Sequence, residues 1–116
     1  MSEADCLFCR IIAGEITGEL LYQDEQCVVI RDINPQAPTH LLVIPREHLE
    51  SLDDAARPDE GMLGHLLRMA ARMANEQGLS ANGYRTVINT GAGAGQSVFH
   101  LHVHLLGGRP LNWPPG

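Results

Sequence analysis

Phe99-His100-Leu101-His102-Val103-His104-Leu105-Leu106 sets three of the chain's six histidines at alternate positions in an otherwise apolar run. Alternate side chains of an extended strand share a face at a spacing of about 6.6–6.8 Å. The run therefore predicts His100, His102 and His104 in one row, with Phe99, Leu101, Val103 and Leu105 as a hydrophobic backing. Directly upstream, Thr90-Gly91-Ala92-Gly93-Ala94-Gly95-Gln96-Ser97 carries three glycines that let backbone amides approach an anion closely. Histidines beside an amide-rich loop point to phosphate. Three readings of the row remain open at this point. It is a partly solvated face without chemistry, a chelate through neutral imidazoles, or a nucleophilic histidine that attacks phosphorus while the others arrange it.

The elements that must hold this row are short. Leu7, Phe8, Ile11 and Ile12 recur at helical spacing before Gly14, which predicts a helix over residues 6–13 whose apolar face closes one end of the core. Leu20 to Gln23 and Val28 to Arg31 read as a hairpin around Asp24-Glu25-Gln26. Asn34-Pro35-Gln36-Ala37-Pro38 is a rigid loop, because each proline fixes its own φ and biases the residue before it away from helix. A third strand, His40 to Pro45, follows. A long helix is expected to begin near Pro58, with Asp59 and Glu60 in its first turn, and to stop at Gly78. Its apolar stripe is Met62, Leu63, Leu66, Leu67, Ala70, Met73 and Ala74, its wet side Arg68, Arg72, Asn75 and Glu76, and His65 is placed at a surface or interface. Tyr84 to Asn89 and Phe99 to Leu106 complete five strands. Short connections between successive strands indicate an α+β fold with an antiparallel sheet rather than a doubly wound parallel one.

Composition sets the outer limits. A chain of 116 residues, 44% hydrophobic and 19% charged, has room for one domain and one core. No apolar run approaches the ~20 residues that span a bilayer, and the acidic start Met1-Ser2-Glu3-Ala4-Asp5 leads into no signal-peptide pattern, so a cytoplasmic protein is expected. A net charge of −6, with basic residues scattered, argues against a nucleic-acid platform. An anionic ligand must then be bound locally, by amides and imidazoles. Three cysteines do not suggest a disulfide framework. Cys6-x-x-Cys9 is a weak metal signal by itself, and Cys27 reads as a small buried hydrophobe.

His100-Leu101-His102-Val103-His104-Leu105-Leu106 has the His-φ-His-φ-His-φ-φ form of the histidine-triad (HIT) superfamily. Asp32-Ile33-Asn34-Pro35-Gln36-Ala37-Pro38-Thr39-His40, Gly95-Gln96-Ser97-Val98-Phe99-His100 and the Gly107 to Gly116 tail resemble its Hint branch, so the likeness runs through nearly the entire chain. The resemblance implies a five-stranded antiparallel sheet with one short and one long helix, joined by a second copy into a continuous ten-stranded sheet. It implies a purine nucleoside phosphoramidase that cleaves the P–N bond of adenosine or guanosine 5′-phosphoramidates. His102 would be the nucleophile, held by the His100 carbonyl, with His104, His40 and Ser97 assisting. Asp32 would grip the ribose hydroxyls. Asn89, Gln96, Ser97, Val98 and His104 would contact phosphate; Phe8, Ile11, Ile30 and Ile33 would line the base cleft, and Trp113 in the tail would help select substrate. Two other activities fit the same residues: a dinucleoside polyphosphate hydrolase of the Fhit type, and a non-catalytic regulatory dimer that binds purine nucleotides.

Many bacterial HIT proteins hold a structural zinc, and similarity to them implies a site made of Cys6, Cys9, His48 and His100. Two thiolates and two imidazoles form a closed tetrahedral set with no position left for substrate. The cysteines are typical of other branches than the Hint-like motifs, so zinc and substrate class are implied by partly different relatives.

Overall fold

The computed structural model describes residues 5–54 and 59–116. Its elements are α1 (Leu7–Ile12), β1 (Leu20–Gln23), β2 (Cys27–Arg31), β3 (Thr39–Pro45), α2 (Glu60–Glu76), β4 (Tyr84–Val87) and β5 (Val103–Gly107). The five strands form one antiparallel sheet in the order β1-β2-β3-β5-β4, which leaves β1 and β4 as its edges. Among the described residues, no helix is long and apolar enough to cross a membrane.

The alternation along β2 and β3 makes the sheet two-sided. Cys27, Val29, Leu41 and Val43 face α2 and pack with Met62, Leu66, Ala70 and Met73, while Val28, Ile30, Leu42 and Ile44 pack with Phe8 and Ile11 of α1. So α1 packs on the sheet face opposite α2 and covers part of it. Both helices start on side-chain caps that accept a first-turn amide. Cys6 Sγ accepts from Cys9 N at 3.3 Å, and Asp59 Oδ1 accepts from Met62 N at 3.0 Å. Asp59 is thus the cap rather than a residue of the first turn, and the expected start at Pro58 lies outside the described residues.

Four further expectations need correcting. Leu67 is 46% exposed and stands outside the buried stripe of α2, because that stripe follows the narrower row Met62, Leu66, Ala70, Met73 and Ala74. His65 is half-buried and tied to Asp24 Oδ2 at 2.7 Å, which pins α2 to the β1–β2 turn. Strand β4 ends at Val87, short of Asn89. Strand β5 begins only at Val103, four residues later than the apolar run suggested. Upstream of it, Leu101 N bonds to Leu49 O at 2.6 Å, so the chain there is tied to the loop after β3 instead of entering the ladder.

The inward and outward alternation survives without the strand. Leu101, Val103 and Leu105 are buried on the α2 side. The rings of His100 and His102 meet Phe8 of α1, with centroids 5.9 and 5.0 Å apart, and His102 meets His104 at 4.9 Å.

Candidate active site and metal cluster

Register explains how histidines from two strands converge. In the antiparallel β3–β5 pair, Leu42 stands opposite His104 and His40 opposite Leu106, so His40 and His104 are diagonal neighbours on the α1 face. Their rings touch through Nε2 of His40 and Nδ1 of His104 at 2.9 Å.

The backbone fixes which nitrogens carry protons. His102 Nδ1 lies 2.6 Å from the carbonyl of His100, and a carbonyl only accepts, so this nitrogen holds the proton and Nε2 of the neutral ring is bare. The Gln36 amide donates to His40 Nδ1 at 3.0 Å, so the proton of His40 sits on Nε2. Nε2 faces His104 Nδ1 at 2.9 Å and Asp32 Oδ2 at 3.3 Å. When His40 donates to His104, the proton of His104 lies on its own Nε2. One imidazole then presents a bare nitrogen and its neighbour an N–H.

Burial keeps these rings neutral. Desolvation lowers His102 below the ordinary imidazole range, with His40 pushing the same way and the His100 carbonyl and Asp32 opposing. His104 is pushed down to about 4, by burial first and then by repulsion from His102 and His40. His40 is lowered by burial against the pull of Asp32.

His40, His102 and His104 open on a cavity of about 500 Å³. Asp32, Ser97, Val98, Phe8, Ile11, Ile30 and Ile33 also line it, and so do Ile16, Thr17 and Gly18, which sequence reasoning did not single out. The signal for Gly18 was weak: a small residue just before a strand. Its importance appears only in space, where a Cβ would stand 3.1 Å from Ile11 Cγ2. One wall is apolar, from Ile11, Ile16, Ile30 and an almost fully exposed Ile33, and the other carries the imidazoles and the carboxylate. That division suits a ligand with a flat apolar end and an anionic end.

Three expected contact residues stand elsewhere. The Gln96 side chain is buried and fully engaged: Oε1 accepts from Gly91 N at 2.8 Å, and Nε2 donates to the carbonyls of Glu50 at 2.6 Å and Val98 at 3.1 Å. It braces the glycine loop and does not line the cavity. Gly91 and Gly95 both have positive φ, which lets that loop close on itself. Asn89 is also absent from the lining. Trp113 is 81% exposed and lies against Arg85 near the β4 edge, with the guanidinium carbon 5.9 Å from the ring centroid.

Behind the cavity, the structure brings Cys6, Cys9, His48 and His100 together, with one donor atom of each within 4.8 Å of the others. Cys6 Sγ is 3.2 Å from His100 Nδ1, Cys9 Sγ is 3.3 Å from His48 Nδ1 and 3.5 Å from His100 Nδ1, and the two Nδ1 atoms are 3.2 Å apart. A tetrahedron with ordinary zinc bond lengths has edges of about 3.3–3.8 Å, so the donor set fits a single ion. His100 Nε2 lies 2.8 Å from the Pro45 carbonyl, which holds the proton there and turns a bare Nδ1 to the cluster. This cluster could hold a metal.

The chain is similar to known proteins over nearly its whole length. Residues 13–111 match the family model described as HIT domain. An uncharacterized HIT-like protein of Synechococcus elongatus is 51% identical over the whole of both chains. Among solved structures, a HIT family hydrolase from Legionella pneumophila is 47% identical with a TM-score of 0.93, the alignment covering 97% of this chain and 100% of that one. A zinc-bound histidine triad family protein from Mycobacterium smegmatis is 33% identical with a TM-score of 0.79, over 93% of this chain and 78% of its own.

Proposed function

From the premise that this chain belongs to the HIT family, we propose that it is a hydrolase of purine nucleoside 5′-phosphoramidates, acting through a nucleotidyl-histidine on His102. The observation that carries the reading is the 2.6 Å bond from His102 Nδ1 to the His100 carbonyl, which leaves Nε2 as the free nitrogen of a ring lining the cavity.

In this reading Asp32 grips the ribose hydroxyls and the apolar wall takes the purine, which puts the α-phosphorus against His102. The bare Nε2 attacks phosphorus in line, an N–P bond forms and the substrate P–N bond breaks. The amine departs with a proton handed on by the Ser97 hydroxyl, exposed at the cavity rim, which takes a replacement proton from solvent water. Water then attacks the nucleotidyl-histidine and releases the nucleoside monophosphate. The N–H of His104 supports a phosphoryl oxygen in both steps, stabilising charge where it develops. Covalent catalysis by a neutral imidazole divides one difficult displacement into two easier ones.

Cys6, Cys9, His48 and His100 would hold a structural zinc, which supplies a rigid link between α1, the loop after β3 and the His100 segment. All four positions are protein ligands, so the ion is kept away from the substrate. The proposed assembly is a homodimer that joins edge strands into a ten-stranded sheet, with Trp113 contributed near the partner's cavity.

The test is turnover of a fluorogenic adenosine 5′-phosphoramidate by the wild type and His102→Ala, together with intact-mass detection of an AMP adduct. Turnover and adduct with the wild type, both lost in H102A, support the reading. An inert wild type that still binds AMP overturns it, and faster cleavage of a dinucleoside polyphosphate overturns the substrate class.

A further inference from the structure

The pairing of β3 with β5 continues as contact beyond both strands. Thr39 stands opposite Gly107, so the next residue on each side, Pro38 and Gly108, meet, and a Cβ on Gly108 would lie 2.9 Å from Pro38 Cβ. Arg109 follows on the C-terminal segment. Its Nε and Nη2 both donate to the Gln36 carbonyl, at 3.1 and 2.9 Å, and its Nη1 donates to the Pro110 carbonyl at 2.9 Å. A planar guanidinium engaged at all three nitrogens has little freedom to turn. Gln36 is also the residue whose amide donates to His40 Nδ1, at 3.0 Å. Its side chain bonds within its own loop, Nε2 donating to the Asn34 carbonyl at 3.0 Å. Among the described residues, the hydrogen bonds that tie Gln36 to anything outside that loop run to Arg109 and His40. Gln36 is exposed, so these bonds rather than burial set its backbone: Arg109 holds the carbonyl and His40 the amide.

The consequence reaches the cavity. With the Gln36 amide on Nδ1, the proton of His40 stands on Nε2, 2.9 Å from His104 Nδ1, and neutral His104 keeps its own proton on Nε2. Without that amide the pair can invert. His40 then carries its proton on Nδ1, its bare Nε2 accepts from the Nδ1–H of His104, and Nε2 of His104 becomes a lone pair. Each ring has one proton in either arrangement, and the same bond between the rings serves both. The two imidazoles therefore do not choose by themselves. Only the first arrangement offers an N–H to a phosphoryl oxygen; the second offers a lone pair that repels it.

We propose that Arg109 is a positioning residue for His40. By holding the Gln36 carbonyl it keeps the Gln36 amide on His40 Nδ1, and so selects the arrangement in which His104 presents an N–H. The inference rests on the phosphoramidase reading for the use made of that N–H, whereas the selection itself is a property of the free protein and needs no substrate to be observed.

Nitrogen-15 spectra of the imidazoles test this in the free protein, at a pH where every ring is neutral, for the wild type, Arg109→Ala and Arg109→Lys. In the wild type His40 and His104 are expected to carry their protons on Nε2. In R109A a large share of both is expected to carry them on Nδ1, while His102 stays unmoved because the His100 carbonyl fixes its proton. A general loosening of the fold would move all three rings. Lysine supplies a point donor without the fork, so R109K is expected to lie between the other two. Kinetics supply the second readout. Molecules in the inverted arrangement lack the donor, so kcat for an adenosine phosphoramidate is expected to fall with their share, about three- to tenfold in R109A and less in R109K, with a smaller change in KM. Wild-type His40 and His104 nitrogens in R109A, a shift shared equally by His102, or an effect confined to KM overturns the positioning role while leaving the phosphoramidase intact. Spectra as expected in a wild type that cleaves no phosphoramidate overturn the reaction instead and leave the positioning of His40 standing.

Discussion

His102 and His100 are joined by a 2.6 Å hydrogen bond from the ring of one to the backbone carbonyl of the other. The ring of His100 belongs at the same time to the cysteine–histidine cluster, with Cys6 Sγ at 3.2 Å and the Pro45 carbonyl at 2.8 Å on its far side. One residue therefore serves the cluster with its side chain and the proposed nucleophile with its main chain. Loosening the cluster must loosen the carbonyl.

Cys9→Ser is the direct test of that link. Elemental analysis is expected to find one zinc per chain in protein purified without chelator, and much less in C9S. Structural zinc sites contribute about 10–16 kcal/mol of apparent binding free energy in small peptides, so loss of even part of this lowers the thermal midpoint. At a temperature where the variant is still folded, kcat is expected to fall more than AMP affinity, because Asp32 is remote from the cluster while only the α1 part of the apolar wall, Phe8 and Ile11, moves with it. Full wild-type zinc content or unchanged turnover in folded, zinc-free C9S would contradict the connection.

The depressed imidazoles set two pH dependences with the same sign. His102 is lowered by burial, so its neutral form persists below the ordinary 6.5, and the acid limb of kcat/KM is expected to lie below that value. His104 falls from 6.5 to about 4 on folding. The unfolded chain therefore takes up this proton more readily than the folded one. Its contribution to stability is full above about pH 6.5 and is lost progressively as pH falls toward 4. Denaturant unfolding at pH 7, 5.5 and 4.5 should show this loss, and His104→Asn should flatten it. A profile equally steep in H104N assigns the loss to other groups.

Gly108 lies close against Pro38 in the loop that carries the Gln36 amide. Its φ is +92°, and a Cβ there would stand 2.9 Å from Pro38 Cβ. Both the backbone and the contact oppose a side chain. Gly108→Ala is expected to lose about 1–3 kcal/mol of stability. Because Pro38 lies between Gln36 and His40, the variant should also lose turnover at temperatures where it is folded. A melting temperature within 1–2 °C of the wild type would sink this, since a 1 kcal/mol change moves a domain of roughly this size by about 4 °C.

Periodicity made most of the fold legible in the amino-acid sequence. The five strands, the antiparallel sheet and the core face of α2 could be read there because alternation and 3.6-residue spacing are local signals. The histidine run was legible as two faces and misleading as a strand. Residues 100 to 102 keep their alternation while Leu101 bonds to Leu49, a tertiary contact that no local pattern announces. Gln96 shows the same limit in reverse. A polar residue in a glycine loop suggests ligand contact, yet its amide is consumed by Gly91, Glu50 and Val98, and only the folded loop reveals that demand. His65 could not be assigned a partner because Asp24 lies 41 residues away in sequence.

Gly18 separates binding from chemistry. It lines the cavity beside Ile11, and a Cβ at this position would be 3.1 Å from Ile11 Cγ2, tight enough that the isoleucine must shift. The displacement acts on the apolar wall and not on the imidazoles, which stand on β5, the segment before it and β3. Gly18→Ala should therefore narrow the space for the purine and raise KM for an adenosine phosphoramidate by a few-fold to about tenfold, the scale of one misplaced methyl group in an apolar pocket, with kcat nearly unchanged. His104→Asn should do the opposite, lowering kcat with a smaller effect on KM, because the lost N–H matters most where phosphoryl charge develops. If G18A instead lowers kcat as strongly as H104N and leaves KM alone, the wall formed by Ile11 and Gly18 is not where the base sits.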